Sequence, residues 1–419
     1  MARPKKTDTK TEEKTQEDSF GFNPNDFLND YLKKTKTEHF NYEEAAEEYI
    51  VSSNSLILDS AVQLGAGCHR MIGVNGGGKT ALSLTYMNNF LKYDKKRRRG
   101  IYIKAEGRLS KEMKQRSGIT FIENGNKVDE WQDGTCFVFE TRIYEVAADF
   151  IYQMIEKSAG GDVQYFFILD SVDGLIARND IVKGFDESNK VAGGAVILSN
   201  LFKRIGIPLT KRGHIGIFIS QVRAEVKIDP YDSQPKRVIA STGGNALLHA
   251  PDYILEFIPK YDGDNILEDE TKKYDPIKNK IVGHFAKIKI QKASNENRGM
   301  IVKYPIRHKL DPISGHQVWN DKEIADILVA EEMMQAKGAW CSLSEDFYET
   351  VKKLVGEDFE NKFNGRQKLL DFITSNKTYP KLRNQMIEYL KDMVKVKGSS
   401  FLHIEQSKEE SEETDVMEG

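Results

Sequence analysis

Cysteine is scarce in this sequence, and long apolar runs are absent. The three cysteines, Cys68, Cys136 and Cys341, lie far apart and form neither a C-x-x-C pair nor a metal-ligand spacing. This usage favours a reducing compartment over one that builds disulfide frameworks. No apolar stretch approaches the roughly 18 residues needed to cross a bilayer, and no apolar segment follows the N-terminus. The sequence therefore predicts neither membrane insertion nor secretion, and we expect a cytoplasmic location.

A large excess of one charge is also absent. The chain has 61 lysines and arginines against 64 aspartates and glutamates, which gives a formal net charge of −3. Any surface for nucleic acid must therefore be local rather than spread over the whole chain. With 419 residues, 39% of them hydrophobic and 30% charged, the composition is typical of a soluble globular protein of two or three domains.

Residues 51–309 alternate short apolar segments with amphipathic ones. The apolar segments predict strands at 69–73, 101–104, 136–139, 165–169, 215–219 and 253–257, and two more within 284–304. The amphipathic segments predict helices at 79–92, 143–157 and 194–205. This alternation is typical of an α/β fold, with a mostly parallel twisted sheet and helices on both faces.

The flanking regions differ from this core. Residues 20–50 predict a small N-terminal helical segment, with helices capped by Asn25 and Asn41 and ending near Leu32 and Ile50. Residues 310–404 predict a small, mainly helical C-terminal domain, with helices at 321–336, 346–355, 365–375 and 380–395. Residues 1–19 are polar and predicted to be disordered. Residues 405–419 hold seven acidic residues and one lysine, which predicts a disordered acidic tail.

One short motif points to triphosphate chemistry. Residues 73–80 read Gly-Val-Asn-Gly-Gly-Gly-Lys-Thr, the G-x-x-x-x-G-K-T pattern of the P-loop. In this pattern the glycine backbone cradles phosphate oxygens, the lysine reaches the β- and γ-phosphates, and the threonine hydroxyl binds Mg²⁺. A predicted strand precedes the motif and a predicted helix follows it, as the pattern requires. We expect ATP and Mg²⁺ to bind here, with the nucleotide contacted by Gly73, Val74, Asn75, Gly76, Gly77, Gly78, Lys79, Thr80 and Ala81.

Three predicted strands of the same sheet end in polar residues. Asp170 ends the apolar run at 165–169 and is predicted, with Thr80, to hold Mg²⁺. Glu106 follows 101–104, where a carboxylate near the γ-phosphate can deprotonate water. Gln221 follows 215–219, where an amide can sense the γ-phosphate. For Glu106 and Gln221, the residues alone do not distinguish a functional side chain from an ordinary polar residue at the end of a strand.

Two long basic stretches interrupt the predicted core. Residues 177–193 contain Arg178, Lys183 and Lys190, and residues 222–242 contain Arg223, Lys227, Lys236 and Arg237. Loops of this length inside a compact core are usually functional, and two basic ones together indicate a polyanion site. Solvated surface loops are the alternative. The run from Lys95 to Arg99 is predicted to be a solvated corner between a helix and a strand.

Taken in order, these segments resemble the RecA recombinase family of bacteria and its phage counterparts, from about residue 50 to the C-terminus. Val51–Asp59 is similar to the family's lead-in to the P-loop, Ala105-Glu106 to its catalytic glutamate, and Ser220-Gln221-Val222-Arg223 to its sensor segment. Asp170-Ser171-Val172 matches its Walker B segment. Thr242-Gly243-Gly244-Asn245-Ala246-Leu247 is nearly identical to the end of its second DNA-binding loop and is the most specific match. Gly338-Ala339-Trp340 and the acidic tail also resemble family features.

The resemblance implies a RecA-type ATPase core that forms a helical filament on single-stranded DNA, pairs it with duplex DNA and exchanges strands. ATP would lie between subunits joined through residues 20–50. Glu106 would be the general base, Gln221 the sensor, and Lys292 would reach the neighbour's γ-phosphate. Single-strand-binding and loader proteins are further candidate partners. The residues expected to contact DNA are Arg178, Lys183, Lys190, Val191, Lys203, Arg223, Val226, Lys227, Lys236, Arg237, Gly243, Gly244 and Asn245.

Several positions depart from the family pattern. Met113 stands where bacterial members place a tyrosine against adenine, and Ser110 stands where an aspartate contacts the base. Ser294 replaces a second lysine that acts across the interface, and Leu248-His249 replaces a Lys-Phe pair. This divergence suits a phage-encoded recombinase. The alternatives are a ring-forming helicase or motor with a RecA-like core, and a regulatory filament protein that lacks catalysis.

Overall fold

The computed structural model describes residues 24–34, 49–93, 96–107, 109–123, 125–181, 193–221, 246–269, 271–295, 297–311, 314–375 and 377–397. The chain divides into two units, residues 1–46 and 47–419. In the first unit, the described residues form helix α1 (Pro24–Lys34), which contains the helix predicted near Leu32. The predicted helix after Asn41 falls mostly on residues up to 48, which lie outside the described residues. Its last two residues, Tyr49 and Ile50, are described and are not helical.

The described residues of the second unit are built on a mixed sheet of ten strands. The strands are β1 (Gly67–Gly73), β2 (Arg97–Lys104), β3 (Thr120–Ile122), β4 (Thr135–Glu140), β5 (Val163–Asp170), β6 (Ile215–Gln221), β7 (Tyr253–Ile258), β8 (Asn265–Leu267), β9 (Ile281–Lys292) and β10 (Ile301–Arg307). Their order is β10-β9-β7-β1-β6-β5-β2-β4-β3, and β8 pairs with β9. The strands from β7 to β3 in this order are parallel, and β9 is antiparallel to β7, β8 and β10. The predicted mostly parallel sheet is confirmed.

The register of the parallel strands brings their C-terminal ends to one edge. Gly73 of β1 lies opposite both Gln221 of β6 and Phe257 of β7, and Lys104 of β2 lies opposite Asp170 of β5. We call this edge the carboxyl edge. The opposite edge, where these strands begin, is called the amino edge. All seven residues of β1 are buried, as expected for a central strand that is covered on both faces.

Helices cover both faces of the sheet. They are α2 (Leu56–Ala61), α3 (Lys79–Leu91), α4 (Lys111–Ser117), α5 (Tyr144–Lys157), α6 (Arg178–Ile181), α7 (Gly193–Lys211) and α8 (Ala246–His249). One apolar cluster joins α3 to Tyr102, Phe166 and Ile168, and a second joins α5 and α7 to Ile103, Phe167 and Leu169. Neighbouring strand residues thus enter opposite clusters, because side chains alternate along a strand. Among the described helices, none is both long and apolar enough to pass through a membrane.

Helix α7 is longer than the sequence predicts. Gly206 and Pro208 favour an end near residue 205, yet the helix continues to Lys211. Proline costs an interior hydrogen bond, but Ile205 and Leu209 are both buried against the sheet. Burial of two apolar side chains on one face offsets the lost bond.

The C-terminal part combines helices with a small sheet. Its helices are α9 (Asn320–Ala330), α10 (Glu345–Val355), α11 (Arg366–Thr374) and α12 (Leu382–Lys397). Its strands are β11 (Met334–Lys337), β12 (Trp340–Leu343) and β13 (Phe363–Asn364), which form an antiparallel sheet. The predicted helix at 321–336 is wrong at its end, because Glu332 has a left-handed φ of 54° and the chain turns there into β11. A third apolar cluster fills this region and also includes Leu56 of α2.

The basic run from Lys95 to Arg99 matches the predicted solvated corner only in part, because Lys96 and Arg97 are exposed but Arg98 is buried. Lys95 lies outside the described residues, and β2 begins at Arg97. Arg98 is only 3% exposed, and its guanidinium lies 4.2–4.4 Å from the centres of three aromatic rings, those of Tyr49, Phe90 and Tyr93. Its Nε also donates to Gln164 Oε1 at 2.9 Å. This arginine is a structural cation at the amino edge, stabilised by cation–π contacts.

Candidate functional site

The P-loop connects the end of β1 to the start of α3, as the motif predicts. Gly73, Gly76 and Gly78 have positive φ values of 145°, 76° and 95°. A side chain at Gly73 would place its Cβ 2.6 Å from the carbonyl oxygen of Phe257, so only glycine fits between β1 and β7. Helix α3 begins immediately after the loop. Its N-cap residue is Gly78, so no side chain at that position accepts a hydrogen bond from the first N–H groups of the helix. Such a helix start attracts anions.

Lys79 is held at the base of the loop. It is 7% exposed, and its Nζ donates to the carbonyl oxygens of Gly73 and Val74, each at 2.8 Å. Burial lowers the pKa of the Lys79 ammonium, and three nearby carboxylates oppose this effect: Asp170, Asp173 and Glu106. The one cation of the loop therefore faces a cluster of acidic groups at the carboxyl edge.

Asp170 and Thr80 lie side by side, although 90 residues separate them in sequence. Asp170 Oδ2 accepts hydrogen bonds from Thr80 Oγ1 at 2.8 Å and from Tyr102 Oη at 2.6 Å. Burial raises the pKa of Asp170, and these two hydrogen bonds oppose the increase. Sequence reasoning paired Thr80 with Asp170 but missed Tyr102, which reads as one more apolar residue of its strand.

The Thr80 and Asp170 oxygens are of the chemical type that binds Mg²⁺. This ion takes few protein oxygen ligands and completes its octahedral shell with phosphate oxygens and water. Within the described part of the chain, no group of three or more histidine, cysteine, aspartate and glutamate side chains is arranged to hold a metal ion. The Thr80–Asp170 pair is a candidate position for magnesium because its oxygens lie together beside the P-loop.

Glu106 contacts the predicted sensor directly. Its Oε1 accepts a hydrogen bond from Gln221 Nε2 at 2.9 Å and another from the Ser171 hydroxyl. The backbone N–H of Glu106 also donates to the carbonyl oxygen of Asp170 at 3.3 Å. A Cβ on Gly174 would lie 2.7 Å from Glu106 Cβ, so the backbone packs closely around this carboxylate. Ser171 belongs to the segment Asp170-Ser171-Val172 that resembles a Walker B motif, but nothing in the sequence predicts that its hydroxyl donates to Glu106.

A buried arginine connects the sensor strand to the chain beyond it. Arg70 of β1 is 1% exposed and donates to Ser220 Oγ at 2.9 and 3.0 Å and to the Leu247 carbonyl oxygen at 3.2 Å. Ser220 lies just before residues 222–245, and Leu247 lies just after them, so Arg70 joins the two stems of that segment. Burial lowers the pKa of Arg70 to about 10, and the Asp173 carboxylate opposes this. Asp173 also accepts from the Gln221 backbone N–H at 2.7 Å.

Comparison with known proteins identifies the family. Residues 34–296 match the RecA N-terminal domain, which is more than half of the chain. The chain belongs to the RecA family. It is 22% identical to Protein RecA of Malacoplasma penetrans over 354 residues, 78% of this chain and 93% of that protein. It is 25% identical over 305 residues to Protein RecA of Bacillus thuringiensis and of Bacillus anthracis, covering 71% of this chain and 75% of each relative.

Two further residues singled out by the RecA resemblance lie in different places. Met113 is half-buried on α4, where its backbone N–H donates to the capping hydroxyl of Ser110 at 3.1 Å. Lys292 ends β9 opposite the start of β7, at the amino edge, and its Nζ donates to the carbonyl oxygens of His249 and Pro251 at 2.6 and 2.7 Å. It therefore lies at the opposite edge of the sheet from the P-loop of its own chain.

Most of the predicted DNA contacts lie outside the described residues. These are Lys183, Lys190, Val191, Arg223, Val226, Lys227, Lys236, Arg237, Gly243, Gly244 and Asn245. Arg178 begins α6, and its backbone N–H donates to the Glu145 carboxylate at 2.9 and 3.1 Å. Lys203 is exposed midway along α7. The DNA-contact residues remain predictions.

Proposed function

We propose that this RecA-family protein is a DNA-dependent ATPase that forms filaments on single-stranded DNA and promotes homologous pairing and strand exchange. The observation that carries the proposal is the 2.9 Å hydrogen bond between Gln221 Nε2 and Glu106 Oε1. Gln221 is the last residue of β6. The segment expected to bind DNA thus begins beside the carboxylate expected to activate water.

The P-loop would hold the triphosphate of ATP. Backbone N–H groups at the start of α3 supply partial positive charge, and Lys79 supplies a full one. Two of the three donors of the Lys79 ammonium bond to Gly73 and Val74, which fixes the amine against the loop. When bound by Thr80 and Asp170, Mg²⁺ supplies further positive charge to stabilise the transferring phosphoryl group.

Glu106 is the proposed general base. Its carboxylate would take a proton from the attacking water as the water oxygen bonds to the γ-phosphorus. The bond from the γ-phosphorus to the β,γ-bridging oxygen would break at the same time, and that oxygen would leave with ADP. Ser171 and Gln221 both donate to Oε1 and so fix the orientation of the carboxylate. A base that is already oriented avoids the entropic cost of ordering it during the reaction.

Gln221 is proposed to connect the nucleotide to DNA. Its side chain holds Glu106, and its backbone N–H holds Asp173. The residue before it, Ser220, is tied through Arg70 to Leu247. A movement of Gln221 toward the γ-phosphate would therefore change both stems of residues 222–245, and DNA bound there would change Gln221 in return.

The proposal also covers how subunits assemble, which partners they bind and how the chain divides into domains. Residues 20–50 would join successive subunits, and Lys292 would approach the ATP of a neighbour, since it lies away from its own P-loop. Single-stranded DNA, duplex DNA, and single-strand-binding and loader proteins are the proposed partners, in the cytoplasm of a bacterium or a phage-infected cell. Residues 51–309 would form the ATPase core and 310–404 the C-terminal domain. Residues 1–19 and 405–419 would form a disordered tail and an acidic tail.

The test measures ATP hydrolysis with and without single-stranded DNA, followed by joint-molecule formation and duplex unwinding. We expect DNA-stimulated hydrolysis, joint molecules between a single strand and a homologous duplex, and no unwinding. Lys79→Ala is the control and should be folded but inactive, because it removes the cation of the P-loop. Unwinding without homologous pairing would favour a helicase. A folded protein without hydrolysis under any condition would favour a regulatory protein.

A further inference from the structure

Tyr102 places a phenol hydroxyl against the Asp170 carboxylate. Its side chain is 2% exposed, in the apolar cluster beneath α3, and its Oη lies 2.6 Å from Asp170 Oδ2. The register of β2 and β5 sets Tyr102 opposite Ile168, two residues before Asp170. Residues 168 and 170 share a face of the sheet, so the phenol extends along that face to the carboxylate. The contact is built by two adjacent strands rather than by a loop.

The hydroxyl shares its acceptor with the P-loop. Thr80 Oγ1 donates to the same Oδ2 atom of Asp170 at 2.8 Å. Two donors on one oxygen, one from β2 and one from α3, restrict rotation of the carboxylate about its side-chain bonds. Loss of either donor leaves a buried carboxylate oxygen with one partner fewer, which is costly and favours other rotamers.

We propose that Tyr102 is a positioning residue for magnesium, which holds Asp170 in the orientation in which Asp170 and Thr80 receive the Mg²⁺ of the ATP complex. The inference rests on the proposed nucleotide site. Groups that hydrogen-bond to a metal-binding carboxylate fix its orientation, and their removal typically reduces metal affinity by about 10–100-fold. Tyr102 makes this contact from a rigid strand.

A second buried tyrosine provides a matched comparison. Tyr86 of α3 is 0% exposed and belongs to the same apolar cluster as Tyr102. Within the described residues, its hydroxyl has no partner in hydrogen-bonding geometry, although the nearby Ser53 side chain opposes the rise in pKa that burial causes. Tyr86→Phe therefore removes the same atom from the same core without releasing Asp170.

The experiment measures how much Mg²⁺ is needed for the full-length protein to bind a fluorescent, non-hydrolysable ATP analogue. Wild type, Tyr102→Phe and Tyr86→Phe are titrated with Mg²⁺, after a baseline in EDTA, and thermal unfolding is recorded for each. We expect Tyr102→Phe to raise the half-saturating Mg²⁺ concentration by about tenfold. Affinity for the analogue in EDTA should stay unchanged, and Tyr86→Phe should follow wild type.

A double-mutant comparison tests whether the effect passes through Asp170. In an Asp170→Asn background, Tyr102→Phe should cause no further change in the Mg²⁺ requirement, because the carboxylate that it positions is gone. An equal increase in both backgrounds would overturn the proposal. The same Mg²⁺ dependence for Tyr102→Phe and wild type would also overturn it. Unfolding of Tyr102→Phe alone would assign the hydroxyl to stability and overturn it as well.

The outcomes also separate this inference from the proposed function. If wild type shows no Mg²⁺-dependent binding of the analogue, the proposed ATP site itself fails. If wild type binds with Mg²⁺ and Tyr102→Phe matches it, only the role of Tyr102 fails. If Tyr102→Phe has the expected effect but the protein does not pair DNA, the positioning role stands and strand exchange does not.

Discussion

The two edges of the central sheet hold their charged groups in different ways. At the amino edge, Arg98 lies among three aromatic rings and bonds to Gln164, so neighbours from its own chain surround it. His214 at the same edge is buried, with Nε2 next to Ser158 and Nδ1 accepting from the Tyr165 N–H. Each of these groups has partners fixed by the fold, and each stabilises the packing of the strand starts.

At the carboxyl edge, several charged groups lie close to one another, and each hydrogen-bonds to neutral groups. Lys79 faces three carboxylates, and Glu106 and Asp170 each accept two side-chain donors on one oxygen. Buried, clustered ionisable groups of this kind are typical of functional sites. Within one subunit, the sheet therefore uses charge for stability at the amino edge and, on our proposal, for chemistry at the carboxyl edge. The following changes test that division, from the largest expected effect to the smallest.

Glu106→Ala should abolish most hydrolysis and leave binding of Mg²⁺–ATP intact. Loss of a general base typically reduces turnover by about 10²–10⁴-fold. The control is Glu140→Ala, which removes a carboxylate from the end of the neighbouring strand β4, where Glu140 pairs with Lys104 at 3.1 Å. Turnover and nucleotide affinity are measured for both. An equal loss of affinity and turnover in Glu106→Ala would indicate a structural role for this residue. It would then contradict the proposed difference between the two edges.

Lys292→Ala tests whether a residue at the amino edge acts across a subunit boundary. We expect DNA-stimulated turnover to fall by on the order of a hundredfold or more, as when a cation supplied in trans is removed. Nucleotide binding by the isolated subunit should be unaffected. Mixing Lys292→Ala with Lys79→Ala subunits should restore part of the activity, since some interfaces then combine an intact lysine with an intact P-loop. Absence of restoration in filaments shown to be mixed would contradict an interfacial site.

Arg98→Met should destabilise the protein without changing its chemistry. The variant loses the cation–π contacts and the hydrogen bonds that Arg98 donates to Gln164 Oε1 and to the Phe90 carbonyl oxygen, at a cost of about 2–4 kcal/mol. Arg97→Met is the control, because Arg97 is half exposed and pairs with Asp133 at the surface, where such pairs contribute about 1 kcal/mol or less. Urea unfolding gives the free energies. A loss of turnover in folded Arg98→Met would contradict a purely structural role for Arg98.

His214 should make stability depend on pH below neutrality. Burial lowers its pKa from 6.5 to about 3. The unfolded chain therefore binds a proton below about pH 6.5 that the folded chain does not, so stability present above that pH is lost as the pH falls. The loss has a limiting slope of about 1.4 kcal/mol per pH unit. The stability difference between wild type and His214→Asn, measured by urea unfolding, should shrink between pH 6.5 and 5.

Buried carboxyl groups act in the opposite direction over part of this range. Burial raises the pKa of Asp59 to about 6 and that of Glu323 to about 7, so their effect on stability becomes more favourable as the pH falls. Both groups are present in wild type and in His214→Asn, and their effects cancel in the difference. A difference that does not change with pH would show that His214 is not held neutral by the fold.

The sequence alone predicts those parts of the fold and the candidate site that depend on residues close together in the chain. The P-loop residues 73–80 and the apolar strands that precede Asp170 and Gln221 are local patterns, and parallel strands place their ends at one edge. The mostly parallel sheet and its two covered faces follow from the same alternation. Those features were predicted and found.

The contacts that the sequence did not reveal depend on register and on distant packing. Tyr102 reaches Asp170 only because β2 and β5 pair with Tyr102 opposite Ile168. Arg70 looks like an isolated charge in an apolar strand until Ser220 and Leu247 are brought to it. Arg98 was assigned to a solvated corner because its nearest sequence neighbours are charged, whereas Tyr49, which covers it, lies far away in sequence.

The central claim, that the carboxyl edge couples ATP to DNA through Gln221, is tested most directly by Gln221→Ala. The measurement is the ratio of ATP hydrolysis with single-stranded DNA to hydrolysis without it, for wild type and the variant, with nucleotide binding recorded in parallel. The account predicts a large ratio for wild type and a ratio near one for a folded variant that still binds Mg²⁺–ATP. An undiminished ratio in Gln221→Ala would contradict the account.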